Sequence, residues 1–124
     1  MLQQIGLVAL GGGIGASLRY AFSSWITYES FPIATISVNI VGSFILGIIA
    51  LSVSQSIIST ELALFLGVGI IGSFTTMSAF SVETIEMLQD GNVSTASTYI
   101  ILTFTLCPIL AWLGWFIGEK LLMS

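Results

Sequence analysis

The chain has 124 residues, of which 56% are hydrophobic and 6% charged, with a formal net charge of −4 and a mean hydropathy of +1.09. A soluble domain carries about 25% charged residues, so this composition speaks against a water-soluble globular fold. Histidine is absent and Cys107 is the single cysteine, which removes the usual general base, an intrachain disulfide and a thiolate metal cluster.

The charges divide the chain into long neutral runs. None falls in 1–18, 30–60, 62–82 or 91–118. Crossing a hydrocarbon core of about 30 Å takes about 20 apolar residues, so four spans fit. They predict an all-α integral membrane fold, a single four-helix domain over residues 1–124 with no room for an extramembrane domain. Met1-Leu2-Gln3-Gln4 lacks a basic leader and the apolar run continues toward Trp25, so no cleavable signal is expected. The net charge rests on a few residues near helix ends and points to no nucleic-acid partner.

Span 1 is predicted from about Ile5 to Ile26 and contains Gly11-Gly12-Gly13-Ile14-Gly15-Ala16, then Arg19. Gly11, Gly13 and Ala16 match a dinucleotide-binding fingerprint, but that motif needs a preceding strand in a βαβ unit. Small residues four apart, Gly11/Gly15 and Gly12/Ala16, instead suit close helix packing, and Ser43/Gly47 and Gly114/Gly118 repeat the pattern. Arg19 either faces a water-filled vestibule, where it would concentrate anions, or snorkels to the interface. Tyr28, Glu29 and Ser30 form a short turn, and Pro32 suits the first turn of span 2.

Span 2 runs from about Pro32 to Val53 with Asn39 midway. Its amide is either an interhelical hydrogen bond, worth about 0.6–2 kcal/mol, or a pore-facing donor. Ser54-Gln55-Ser56 marks the next turn.

Span 3 starts near Glu61, breaks around Gly72–Met77 and resumes to Leu88. Gly67, Gly69 and Gly72 weaken the helix ahead of the break. The stretch from Gly72 to Phe80 holds Ser73, Thr75, Thr76 and Ser78, with no charge among them. In hydrocarbon such a stretch persists only when buried in protein or lining an aqueous path. Its hydroxyls either re-satisfy freed backbone groups or serve an ion. Glu83 and Glu86 follow, near the membrane surface or in a vestibule.

Gln89-Asp90-Gly91-Asn92 is a turn. The glycosylation-like Asn92-Val93-Ser94 lies too close to span 4 to serve as a sequon. Span 4 runs from about Val93 to Leu122 and aligns Thr95, Tyr99, Thr103 and Cys107 on one face. That row is either helix–helix glue or a donor-lined track. Pro108 cannot donate to the Phe104 carbonyl, so a kink or a freed carbonyl is expected beside Cys107.

The short loops imply adjacent antiparallel helices, and four spans put both termini on one side. Arg19 and Lys120 place one basic residue on each side. Basic-residue bias sets topology, so the chain either adopts one weakly specified orientation or inserts both ways as an antiparallel dimer. With no nucleophile–base pair and no metal constellation, the sequence does not read as an enzyme.

These residues resemble the Fluc, or CrcB-type, fluoride channels. The likeness lies in Gly12-Gly13-Ile14-Gly15-Ala16-Ser17-Leu18-Arg19-Tyr20, in Ser37-Val38-Asn39-Ile40-Val41-Gly42-Ser43-Phe44, and in Gly72-Ser73-Phe74-Thr75-Thr76-Met77-Ser78-Ala79-Phe80 followed by Glu83. Order, spacing and length agree over essentially the whole chain. The resemblance implies a dual-topology homodimer in the bacterial plasma or inner membrane, with two pores and a central structural sodium. By motif position the backbone carbonyls of Gly72 and Thr75 of both chains would hold that ion, since a broken helix exposes carbonyls to a hard cation. Phe80 matches the second of two pore phenylalanines, and Met77 stands where the first is expected. A phenyl edge can face an anion, whereas a thioether has no comparable edge but is adaptable. Asn39 matches a pore-lining Asn, and Tyr99 and Thr103 match a polar track with Cys107 where Ser is commoner. Arg19 and Glu83 match the vestibule arginine and the acidic residue after the second Phe.

Fluoride is tightly hydrated, and a bare ion in a low dielectric would cost tens of kcal/mol. Asn39, Thr76, Ser78, Tyr99, Thr103 and the Phe80 edge are the expected replacement donors. Several moderate sites allow an ion to enter and leave. The expected function is passive, fluoride-selective export. The competing readings are a small four-helix drug/proton antiporter, which needs a membrane-embedded carboxylate, and a heteromeric partner subunit.

Overall fold

The computed structural model describes residues 1–26 and 30–124. Tyr28 and Glu29 of the expected first turn lie outside the described residues. Among the described residues the regular structure is helical. The elements are α1 (Leu2–Trp25), α2 (Ile33–Ser54), α3 (Thr60–Ala63), a π-helix (Leu64–Ile71), α4 (Gly72–Phe74), α5 (Met77–Gln89) and α6 (Val93–Leu122). Four helical stretches, Leu2–Trp25, Ile33–Ser54, Thr60–Gln89 and Val93–Leu122, are long and apolar enough to cross a membrane.

Local chemistry sets the ends. The Ser59 hydroxyl accepts the Leu62 N–H at 3.1 Å and starts α3. The Thr76 hydroxyl does the same for α5, accepting the Ala79 N–H at 3.1 Å. Each satisfies an amide that has no intrahelical partner. Beyond α5, Gly91 takes φ +81, the left-handed conformation open to glycine. Pro108 lies inside α6 without ending it.

The π-helix was not expected from the sequence. Its amides reach back five residues, as in the Gly72 N–H to the Gly67 carbonyl. It packs along α1, and α2 packs along α6, so the fold is two tightly joined helix pairs with α5 leaning on α6. Glycine permits both seams. A β-carbon on Gly15 would collide with the Ile70 carbonyl of the π-helix, and one on Gly114 with the Phe44 carbonyl of α2. The small-residue pairs therefore serve close packing, where dispersion between touching backbones drives association in lipid.

One apolar cluster, Ile36, Phe80, Met87, Ala96 and Tyr99, joins α2, α5 and α6. Large apolar side chains such as Leu10, Leu18, Val68 and Trp112 stay exposed on the outside, as a lipid-facing surface requires. Trp112 stacks on Phe116, and Lys120 sits over the Phe116 ring at 5.5 Å from its centroid, an anchor suited to the membrane interface.

Candidate functional site

Between α4 and α5 two residues are extended: Thr75 at φ −85, ψ 156 and Thr76 at φ −153, ψ 118. Extended residues release backbone groups from the helical ladder, and each freed group needs a partner when buried. Asn39 of α2 supplies two of them. Its Oδ1 accepts the Thr76 N–H at 2.7 Å, and its Nδ2 donates to the Thr76 carbonyl at 3.0 Å. Arg19 of α1 supplies a third, donating from Nε to the Ser73 carbonyl at 2.9 Å. The Thr75 hydroxyl turns back to the Ile71 carbonyl at 3.1 Å.

Two carbonyls are treated differently. In an unbroken helix the Gly72 carbonyl would take the Thr76 N–H, and the Thr75 carbonyl would take the Ala79 N–H. The first of these amides goes to Asn39 and the second to the Thr76 hydroxyl. Gly72 is exposed and lines a large apolar groove between the end of α2 and the π-helix.

A separate cavity of about 320 Å³ lies where α2, the Thr75–Met77 segment and α6 meet. Its polar lining is Asn39, Ser43, Thr75, Thr76, Thr103 and Cys107, joined by the Met77 thioether. Among the described residues no charged side chain lines it. Thr103 is 5% exposed, and its Oγ1 is the buried side-chain atom left without a hydrogen-bond partner among the described residues. An unmade hydrogen bond on a buried hydroxyl costs about 1–3 kcal/mol. The Asn39 amide has two N–H groups and spends one on Thr76. The cavity thus offers hydroxyl and amide donors without an opposing carboxylate, which suits an anion.

Glu83 lies beside this cavity, not in its lining. Its Oε2 accepts from the Thr35 hydroxyl at 2.8 Å and its Oε1 from the Tyr99 hydroxyl at 2.9 Å. Charge-assisted hydrogen bonds of this kind are roughly twice as strong as neutral ones. Tyr99 is fully buried and packs against Phe80, with ring centroids 4.9 Å apart. Phe80 meets Phe104 edge-on at 5.7 Å. Ser78 is exposed, with its hydroxyl 3.0 Å from that of Thr76.

The fold therefore gathers Asn39, Thr75, Thr76, Met77, Thr103 and Cys107 at one cavity. It links Glu83 to Tyr99 and Tyr99 to Phe80 beside it, ties Arg19 to the Ser73 carbonyl of α4, and turns Gly72 toward the groove. Thr35 escaped the sequence reading, and Ser43 is read there as a small packing residue and not as a polar lining group. Together with Asn39 they recur every four residues and form a polar stripe along α2, a periodicity that could have flagged them.

The sequence model of a family described as "CrcB-like protein, Camphor Resistance (CrcB)" matches residues 6–115. Among curated relatives, a protein of Shewanella baltica (strain OS185) named "Fluoride-specific ion channel FluC" is 42% identical over 111 residues, covering 87% of this chain and 90% of the relative. A protein of the same name from Shewanella sp. (strain W3-18-1) is 43% identical over 111 residues with the same coverage, 87% and 90%. With four helices able to cross a membrane and this similarity along most of its length, the chain belongs to the CrcB family, whose members are multi-pass ion channels of the bacterial cell membrane and not enzymes.

Proposed function

We propose that this chain is a fluoride channel that lets the ion leave the cell passively. The observation that carries this reading is the unpartnered Thr103 hydroxyl, buried against an uncharged, donor-lined cavity. An anion in a low dielectric is stable only where fixed donors replace its water. Thr103, the second Asn39 N–H and the Thr76 hydroxyl are donors of that kind on one path. The curated relatives are named as fluoride-specific channels, which fits an uncharged path able to hold a small, strongly hydrated anion. Glu83 engages both carboxylate oxygens with hydroxyls, which disfavours a proton-exchanging antiporter with a free carboxylate in the cavity.

In the same reading two copies assemble antiparallel, with two pores and a sodium ion between them. The single basic residue toward each side of the membrane is compatible with insertion in both directions. An antiparallel pair would be isologous about an axis in the membrane plane. The carbonyls of Gly72 and Thr75 fit the ion: their helical amides are diverted, and a hard cation takes oxygen ligands. Bound there, sodium would supply fixed positive charge that braces the extended segment. Met77, Phe80, Ser78, Tyr99 and Thr103 would border the fluoride path, with Arg19 and Glu83 toward its ends.

The test is fluoride efflux from liposomes that hold the purified chain alone, read with a fluoride electrode. Fluoride release with chloride retained supports the reading. Release of chloride as fast as fluoride, or no release, overturns it.

A further inference from the structure

The π-helix Leu64–Ile71 holds one residue more than an α-helix would place between the same hydrogen bonds. The Gly72 N–H reaches back to the Gly67 carbonyl, a five-residue step, while the Thr75 N–H reaches back only four, to the Ile71 carbonyl at 3.0 Å. Between them two amides, of Ser73 and Phe74, stand against three carbonyls, of Val68, Gly69 and Ile70. The Gly72 N–H covers the difference by sharing itself with the Gly69 carbonyl. Such a five-residue step is rare and appears mostly at functional sites. Leu64–Ile71 carries no polar side chain, so nothing of its own fixes where the extra residue sits.

What fixes it lies on α1. Gly11, Gly15 and Arg19 recur every four residues and meet this part of the chain one turn after another. Gly11 lies against the Phe65 carbonyl and Gly15 against that of Ile70, each so close that a β-carbon would collide. Arg19 follows, donating from Nε to the Ser73 carbonyl at 2.9 Å. Were the extra residue to pass toward the break, the ladder would become α-helical and Gly72–Phe74 would advance by one residue. That step is a turn of about 100° and a shift of about 1.5 Å. It would carry the Ser73 carbonyl away from Arg19, and the extended Thr75 and Thr76, already outside the ladder, would absorb it. We infer that the π-helix is a movable register and that Arg19 is its latch. By holding the Ser73 carbonyl, Arg19 is a positioning residue for Thr75, Thr76 and Met77 at the cavity, acting from a helix that contributes nothing to the cavity lining among the described residues. Its effect on conduction rests on the channel reading; the latch itself does not.

The test is hydrogen exchange of the full chain in detergent micelles, read by mass spectrometry on peptides covering residues 64–76, with fluoride efflux from liposomes beside it. Arg19→Gln should speed exchange in that stretch roughly tenfold or more, because a hydrogen bond from a charged group is lost, while α2 and α6 keep their rates. Arg19→Lys still carries N–H donors for the carbonyl and should keep much of the protection. Deleting Val68, which is 57% exposed, removes the extra residue at little cost in packing. The ladder can then run α-helical with Ser73 left in place. The Phe65 and Ile70 carbonyls come to lie one α-helical turn apart, as Gly11 and Gly15 do. Combined with Arg19→Gln, the deletion should return both exchange and efflux toward the wild type, because no second register is left. An arginine that acted only through its charge, or only as one more hydrogen bond, would not be rescued in this way. Unchanged exchange in Arg19→Gln overturns the latch, whether or not the deletion variant folds. So does a double variant that runs as a single monodisperse species and still exchanges fast. A wild type that passes no fluoride, yet whose exchange depends on Arg19, contradicts the channel reading and leaves the latch standing.

Discussion

Replacing Asn39 by Ala removes the two-bond clasp on Thr76 while leaving the surrounding apolar contacts of α2 in place. The lost bonds are the Thr76 N–H to Oδ1 at 2.7 Å and Nδ2 to the Thr76 carbonyl at 3.0 Å. Interhelical hydrogen bonds in membrane proteins average about 0.6 kcal/mol, so the pair contributes roughly 1.2 kcal/mol. Leaving the partly buried Thr76 amide and carbonyl unpaired adds cost, and about 2 kcal/mol in total is expected. That is roughly a thirtyfold loss in the ratio of clasped to unclasped chains. Reversible unfolding in mixed detergent micelles measures the stability, and fluoride efflux from liposomes measures the path. Asn39→Asp is the informative companion. As a carboxylate it still accepts the Thr76 N–H, but it sets a negative oxygen against the Thr76 carbonyl and puts charge into the cavity. Efflux should therefore fall further for Asn39→Asp than for Asn39→Ala. If Asn39→Ala unfolds within about 0.3 kcal/mol of wild type, the spread seen for independent sites, the clasp contributes nothing and the reasoning fails.

Thr103→Val should keep or slightly raise stability, since it removes an unpartnered buried hydroxyl, yet slow fluoride efflux; Thr103→Ser should preserve it. Equal efflux in the Val and Ser variants would remove Thr103 from the path. Glu83→Gln replaces a carboxylate that accepts from Thr35 and Tyr99 with a group that accepts only at one end. One charge-assisted bond is lost and the other weakened, so a destabilisation of about 1–3 kcal/mol is expected in the same unfolding assay. Gly114→Val places a side chain against the Phe44 carbonyl at the α2–α6 seam. It should destabilise by about 1–3 kcal/mol or prevent folding, read as loss of the monodisperse species on size-exclusion chromatography.

Much of this architecture was legible in the charge gaps. The four neutral runs, 1–18, 30–60, 62–82 and 91–118, each underlie one of the four described helices that can cross a membrane, because a charge deep in a span is costly. The glycine pairs were legible for the same reason: close backbone approach in lipid leaves a mark in residue size. Asn39, Thr76, Met77, Thr103 and Cys107 were each singled out, and the fold brings them to one cavity. Their partners were not legible. Asn39 bonds the backbone of a residue 37 positions away, and a backbone partner leaves no side-chain signature. Glu83 reads as a surface or vestibule acid until Thr35 and Tyr99 are seen to claim its two oxygens. The π-helix left no periodic signal over Leu64–Ile71, because every residue there is apolar or glycine and any register hides the same surface.

The central claim is that an uncharged, donor-lined path in this one chain conducts fluoride and rejects chloride. Liposomes loaded with both anions and carrying only this protein test it in a single experiment, with the two ions followed by separate electrodes. Rapid loss of fluoride with chloride held inside is the predicted result. Loss of both anions at similar rates, or retention of both, would contradict it.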